Sequence, residues 1–340
     1  MYRVGLIGAG YVGQKRAAVM EQHPETELAA VYDVEPEAAA ALKGSGKIRL
    51  AGSWQEVVED KDIDVVVVCT THDVLSAISA AALEAGKHVL CEKPVGCNPA
   101  QVESVVAAAK QSGRCLKAGY NHRFHPAIAK VREVYEQGLI GPITFIRGRY
   151  GHGGRPGYER EWRANPEKAG GGELLDQGAH LVDLCAWFLG DFSSVTGLVE
   201  TQFWDMAPLE DNAFGLFRTA AGQVASLHAS WTQWKNLFSF EVFGRNGYAV
   251  AHGLGQSYGQ EYALVGRRRP EGGAPEEERF DFPGEDCSWG LEWQDFVQAI
   301  FSGQPPQAGG KEALRVVEWI YRLYKAAAEG RVVFGDEAPT

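Results

Sequence analysis

The stretch YRVGLIGAGYVGQKRAAVM, residues 2–20, constrains the fold of this chain more than any other segment. A short apolar run ends in Gly8, Gly10 and Gly13, spaced G-x-G-x-x-G, and helical text follows without a break. Strand, tight turn and helix in that order open a βαβ unit. The first glycine permits the turn, the second lets the backbone approach a pyrophosphate, and the third lets helix and strand pack closely. Amides of the first helical turn, at Tyr11 and Val12, then point toward phosphate oxygens. Asp33 closes the next apolar run, ELAAVYD, twenty residues after Gly13. A carboxylate there accepts hydrogen bonds from an adenosine ribose and repels the additional phosphate of NADP. Val34 and Glu35 offer no basic group to reverse that preference, so NAD is expected and NADP less so. The same carboxylate suits an N-cap for the helical text DVEPEAAAAL.

Strand and helix signals continue to alternate through KIRLAG, SWQEVVED, DIDVVVVCT, a helix over 73–86, KHVLCEK, a helix over about 98–112, and RCLKAGY. That alternation predicts a parallel sheet covered on both faces, with ligands beyond the carboxyl ends of its strands. Thr70, Thr71 and His72 follow one strand, Glu92, Lys93 and Pro94 another, and Tyr120, Asn121 and His122 a third. Of these, Thr70, Thr71, His72, Glu92, Lys93 and Asn121 are expected at the cofactor, and Lys93 and Tyr120 at the substrate.

A chain of 340 residues is long for one core and predicts two domains, placed at 1–121 and 122–340. A formal net charge of -11 argues against nucleic acid or an anionic membrane as partner and for a small molecule. The start of the chain lacks the basic-then-apolar pattern of a secretory signal, and no apolar run spans a bilayer, so a cytoplasmic location is expected. The six cysteines form no C-x-x-C pair. Neither disulfides nor a metal site is expected, and His72, His122 and His125 lack the spacing of metal ligands.

Beyond residue 140 the text changes to VTGLVETQF, NAFGLFRT, GQVASLHASWT and FSFEVF, with the hairpin signal GRNG at 244–247. Short links exclude helical crossovers and predict an open, mainly antiparallel sheet, making this an α+β domain beside the α/β one. Helices at 173–189, SWGLEWQDFVQAIFSG and KEALRVVEWIYRLYKAA are expected to cover one face. An apolar remaining face predicts a homodimer or homotetramer. In GGGELLDQGAHLVDL, residues 170–184, spacings of four and three set Asp176, His180 and Asp183 on one helical stripe. Taken alone, such a stripe opposite an apolar one faces water.

Together the glycine fingerprint, CEKPVG, AGYNHRFHP, EWR and GGGELLDQGAHLVDL resemble the glucose-fructose oxidoreductase, inositol dehydrogenase and rhizopine-catabolism family over nearly the whole chain. The resemblance implies a nicotinamide-dependent enzyme acting on sugars, sugar derivatives (nucleotide sugars among them) or cyclitols. It carries the family lysine onto Lys93 and the D-x-x-x-H pair onto Asp176 and His180. It also implies a cis Lys93–Pro94 peptide, and a WR element, Trp162 and Arg163, near the cofactor.

Chemistry supports those assignments. Passing a hydride to nicotinamide requires loss of a hydroxyl proton, and an imidazole suits that exchange near neutrality, so His180 is expected as base. Lys93 stabilises the developing oxyanion, and Asp176 fixes the imidazole or a neighbouring hydroxyl. A helix of the second domain facing the strand ends of the first would set Asp176 and His180 across a cleft from Lys93. Arg123 is expected at the substrate. Arg155 and Arg160, in the glycine-rich stretch RGRYGHGGRPGYEREWR, suit an anionic substrate group or surface pairing with Glu159 and Glu161. The leading expectation is an NAD-dependent oxidoreductase interconverting a secondary hydroxyl and a ketone. The alternatives are an NAD-dependent glycosidase using transient oxidation, and a non-catalytic sensor of NAD or sugar.

Overall fold

The computed structural model describes residues 1–42 and 48–339. The chain forms two compact units, one of Met1–Tyr120, Glu167–Gly170 and Trp289–Arg315, the other of Asn121–Pro166, Gly171–Ser288 and Val316–Thr340.

Six parallel strands build the first unit: β1 Tyr2–Ile7, β2 Thr26–Tyr32, β3 Arg49–Leu50, β4 Val65–Val68, β5 His88–Glu92 and β6 Leu116–Gly119. They lie in the order β3-β2-β1-β4-β5-β6. The run expected at KIRLAG reduces to β3; its first residue, Lys47, lies outside the described residues. Val65–Val68 is buried at every position, as a parallel strand covered on both faces must be. Chain order reverses between β1 and β4, so the crevice beyond their carboxyl ends is where a ligand would enter. Local chemistry sets the helix ends. Ser53 accepts from the Glu56 N–H, and Asn98 from the Gln101 N–H.

The helix Ser288–Ser302 departs from expectation. Trp293, Phe296 and Val297 pack in the core of the parallel-sheet unit with Val4, Leu6, Met20 and Leu90, rather than on the antiparallel sheet. Buried charge fixes the placement, because Arg16 lies between Glu92 and Glu292 at 2.6 Å from each. Consequently the first unit draws on chain well beyond residue 121.

The second unit holds nine strands: β7 Ile143–Gly151, β8 Ser194–Glu200, β9 Asn212–Arg218, β10 Val224–Ser230, β11 Leu237–Gly244, β12 Gly247–His252, β13 Tyr262–Arg267, β14 Glu276–Asp281 and β15 Val333–Phe334. Their order is β14-β13-β12-β11-β7-β10-β9-β8-β15, and every described neighbour pair is antiparallel except β7 with β10. The hairpin at GRNG joins β11 to β12. Leu181, from the helix Ala179–Leu189, and Leu323, from the helix Gly310–Glu329, approach glycines of the sheet on its covered face. On β9 buried and exposed residues alternate, leaving Phe214 and Leu216 exposed on the other face, with Leu198 of β8 also exposed. No helix among the described residues is long and apolar enough to cross a membrane.

Candidate active site

In the first unit the glycine turn has the shape its sequence requires. Gly8 sits at φ 95°, and a side chain there would meet the Cys69 backbone. A side chain on Gly13 would collide with the Gly8 carbonyl oxygen. Gly10 is different, since a Cβ added there meets nothing within 4 Å. It is also the N-cap of the helix Tyr11–Gln22, with no side-chain cap. Open space beside uncapped amides fits a pyrophosphate. Tyr11 is exposed at this end and Val12 half-buried.

Asp33 stands beside the same turn, accepting the Ala9 N–H at 2.5 Å on one oxygen and the Glu35 N–H at 2.8 Å on the other. Each oxygen retains a second lone pair, which fits a pair of ribose hydroxyls. Thus the residues present fit a dinucleotide.

Lys93 is half-buried, and its peptide bond to Pro94 is cis. Val95, fully buried, takes φ 75°, a left-handed conformation that costs a β-branched residue about 1–3 kcal/mol. Its N–H bonds the Glu92 carbonyl at 3.0 Å, closing the turn that carries the lysine. Glu92 itself holds Arg16, accepting Nε at 2.8 Å and Nη2 at 2.6 Å. Sequence spacing did not reveal that partner. Thr71 donates to Asp73 at 2.6 Å, Thr70 to the Thr71 carbonyl at 3.2 Å, and the buried His72 ring lies 2.9 Å from the Ala169 carbonyl. Tyr120 is fully buried.

In the second unit the D-x-x-x-H segment is not a regular helix. Leu174–Gly178 forms a π-turn that leads into the helix Ala179–Leu189. The side chain of Glu210 accepts the N–H groups of Gly172 and Leu174, and its carbonyl takes that of Glu173, fixing where the turn starts. A water-facing stripe is excluded, because Asp176 and His180 are each 5 % exposed and Asp183 is 0 % exposed. Each polar group has another reason to be there. Asp183 takes both prongs of Arg123, at 2.7 and 2.5 Å. That buried ion pair holds the Arg123 guanidinium in place. Asp176 accepts from Arg163 Nε at 2.8 Å, and Arg163 lies 4.4 Å from the Trp162 ring centroid. The WR element is therefore tied directly to the D-x-x-x-H segment.

His180 packs among aromatic rings. His122 stacks on it with centroids 3.7 Å apart, and Tyr150 stands edge-on at 6.2 Å. Burial pushes the Tyr150 phenol well above its ordinary range, and burial with nearby Glu173 pushes Tyr258 up to about 12. Both therefore stay neutral hydroxyls. Neither tyrosine carried a motif in the sequence. The Asn121 amide serves Ser288 at 3.0 Å and His122 at 3.2 Å within this unit.

Arg155 pairs with Glu161 at 2.7 Å and Arg160 lies 3.8 Å from Glu159, both arginines being exposed. An anionic substrate would have to displace these carboxylates. A depression of about 790 Å³ lies on the uncovered sheet face beside Arg147, Arg149, Phe214 and His228. Of the expected site residues, none lines it.

Comparison with known proteins agrees with both units. The model described as the oxidoreductase family, NAD-binding Rossmann fold, matches residues 2–120, and the GFO/IDH/MocA C-terminal domain matches residues 128–250. Levoglucosan dehydrogenase of Pseudarthrobacter phenanthrenivorans is 27% identical over 73% of this chain and 72% of its own. The 1,5-anhydro-D-fructose reductase of Ensifer adhaerens is 30% identical over 75% of this chain and 77% of its own. Among solved structures, GenD2 from gentamicin A biosynthesis, in complex with NAD, superposes with a TM-score of 0.85 at 26% identity, covering 99% of this chain and 97% of that one.

Proposed function

Because the chain belongs to the Gfo/Idh/MocA oxidoreductase family and is an NAD-binding sugar oxidoreductase, we propose that it interconverts a secondary hydroxyl and a ketone, with His180 as acid-base group. The substrate is a neutral sugar, sugar derivative or cyclitol. The observation that carries this reading is the burial of Asp176 and His180 on the π-turn and its following helix, with Arg163 bonded to Asp176. Buried acid-base groups on a locally irregular helix are costly to keep and suit a reacting centre.

The Gly8–Gly13 turn and Asp33 would hold NAD, which would supply the hydride acceptor. His180 takes the hydroxyl proton in oxidation and returns it in reduction. Lys93 stabilises the oxygen as it becomes an oxyanion. Asp176, kept in place by Arg163, orients the imidazole or a neighbouring hydroxyl. Arg155 and Arg160 have glutamate partners, which favours neutral substrates over anionic ones. The uncovered sheet face, with Leu198, Phe214 and Leu216 exposed, is proposed as the contact between copies of the chain.

The test is a screen of purified protein with NAD against sugars, cyclitols, glycosides and nucleotide sugars, with products identified by mass spectrometry. A ketone product with stoichiometric NADH supports the reading. Glycoside cleavage without net NADH would establish the glycosidase alternative, and NAD binding without turnover on any compound would establish the sensor.

A further inference from the structure

His122 lies flat against His180, ring centroids 3.7 Å apart and planes within 19°. Groups outside the pair fix its ring. The Asn121 amide donates to Ser288 Oγ at 3.0 Å, which turns the Asn121 carbonyl oxygen toward His122 Nδ1 at 3.2 Å. Ser288 in turn donates to Asp286 at 2.6 Å. An amide oxygen only accepts, so Nδ1 carries the hydrogen. Tyr150 at 4.9 Å, His125 at 5.6 Å and Phe238 at 5.7 Å then pack against the same ring.

Two neutral aromatic rings prefer an offset or edge-to-face arrangement to a close sandwich. Two imidazolium rings at this separation would repel strongly. A face-to-face stack of this kind accommodates one cationic ring over one neutral ring but not two cationic rings. Of the two, His122 has its Nδ1–H on a neutral amide. We infer that His122 is a positioning residue for His180, a neutral π surface that holds the ring and stabilises the imidazolium formed when His180 takes the substrate hydroxyl proton. In that step the substrate O–H bond would break and an N–H bond form on His180, with bound NAD to accept the hydride. This inference rests on the role proposed for His180.

Among the described residues of this unit, Glu173, just before the π-turn, and Asp176 act on Tyr150, which packs on the pair beside Tyr258, while Asp183 with Arg123 follows His180 by three residues and His125 carries Glu261 and Asp286. His125 lies 3.2 Å from Glu261 and 3.9 Å from Asp286.

The experiment is an NMR titration of His180 in full-length protein labelled at histidine, its signal assigned by loss in His180→Asn. It compares the parent with His122→Phe, which keeps an aromatic face, and with His122→Leu and His122→Gln, which do not. Gln also retains a donor for Asn121, so it reports even where Leu fails to fold. The expected result is a His180 pKa lowered by about one unit in the Leu or Gln variant and within about 0.3 of the parent in the Phe variant. The acid limb of kcat/KM should move by the same amounts. An unchanged titration in the non-aromatic variants, or a Phe variant displaced as far as they are, would overturn the inference. The titration needs no turnover, so a parent inactive on every compound would refute the proposed function while the titration still decides whether His122 tunes His180.

Discussion

Arg163 donates Nε to Asp176 Oδ2 at 2.8 Å, joining the 3-10 turn Trp162–Ala164 to the π-turn thirteen residues later. The pair sets the carboxylate at the head of the segment that carries His180. Asp176→Asn keeps the shape and removes the charge, and is expected to lower kcat about a hundredfold with NAD affinity within about twofold. Arg163→Lys keeps the charge but loses the planar fork over Trp162, and should raise KM more than it lowers kcat. Steady-state kinetics with fluorescence titration of NAD check both.

Arg123 and Asp183 form a second buried ion pair. With both side chains almost wholly buried, Asp183→Ala strands a guanidinium and is expected to cost about 3–5 kcal/mol. Replacing both residues by leucine should recover most of that loss. Urea unfolding of Asp183→Ala and of the double leucine variant measures it. A double variant no more stable than Asp183→Ala would show that Arg123 does more than balance a charge.

His152 makes the protein sensitive to mild acid. Burial, only partly opposed by Asp176, lowers its pKa to about 4, and its Nδ1 accepts the Gly154 N–H at 2.9 Å. The native ring is therefore neutral, while the unfolded ring titrates near 6.5. Between these values the unfolded state binds more protons, so stability falls as pH drops from about 6.5 to about 4 and levels off below. His152→Gln should flatten that slope in thermal unfolding midpoints recorded from pH 7 to 4.

Cofactor choice should follow Asp33. With one carboxylate oxygen on Ala9 and the other on Glu35, the charge is fixed beside the glycine turn. Parent protein is expected to favour NAD over NADP in kcat/KM by at least about tenfold, and Asp33→Ser with Val34→Arg to reverse the order. Initial rates with both cofactors decide it. A parent that prefers NADP would remove Asp33 from this role.

How much of this was legible in the sequence follows from distance along the chain. The turn at Gly8–Gly13 is local, and spacing alone shows which glycine must be open and which packed. Asp33 ends the next strand, so it too could be read. The π-turn could not, because Asp176 and His180 sit four apart in either kind of helix, and the fixing group, Glu210, comes 34 residues after Asp176. Nor could the polar stripe be read as buried. Its partners include Arg123, 60 residues from Asp183, and side-chain periodicity does not reveal what lies opposite. The helix Ser288–Ser302 shows the same limit. Its apolar residues announced that it packs, whereas only Trp293 against the first core and Glu292 on Arg16 show where.

In the proposed reaction His180 exchanges a proton with a hydroxyl and Lys93 stabilises the resulting oxyanion, with bound NAD to accept the hydride. The most direct measurement is single-turnover NADH formation in Lys93→Met, His180→Asn and parent protein at saturating NAD, on the best compound from the screen. Each variant is expected to lose at least about a hundredfold, with the NAD dissociation constant within about threefold of the parent. Either variant forming NADH at near-parental rate would contradict it.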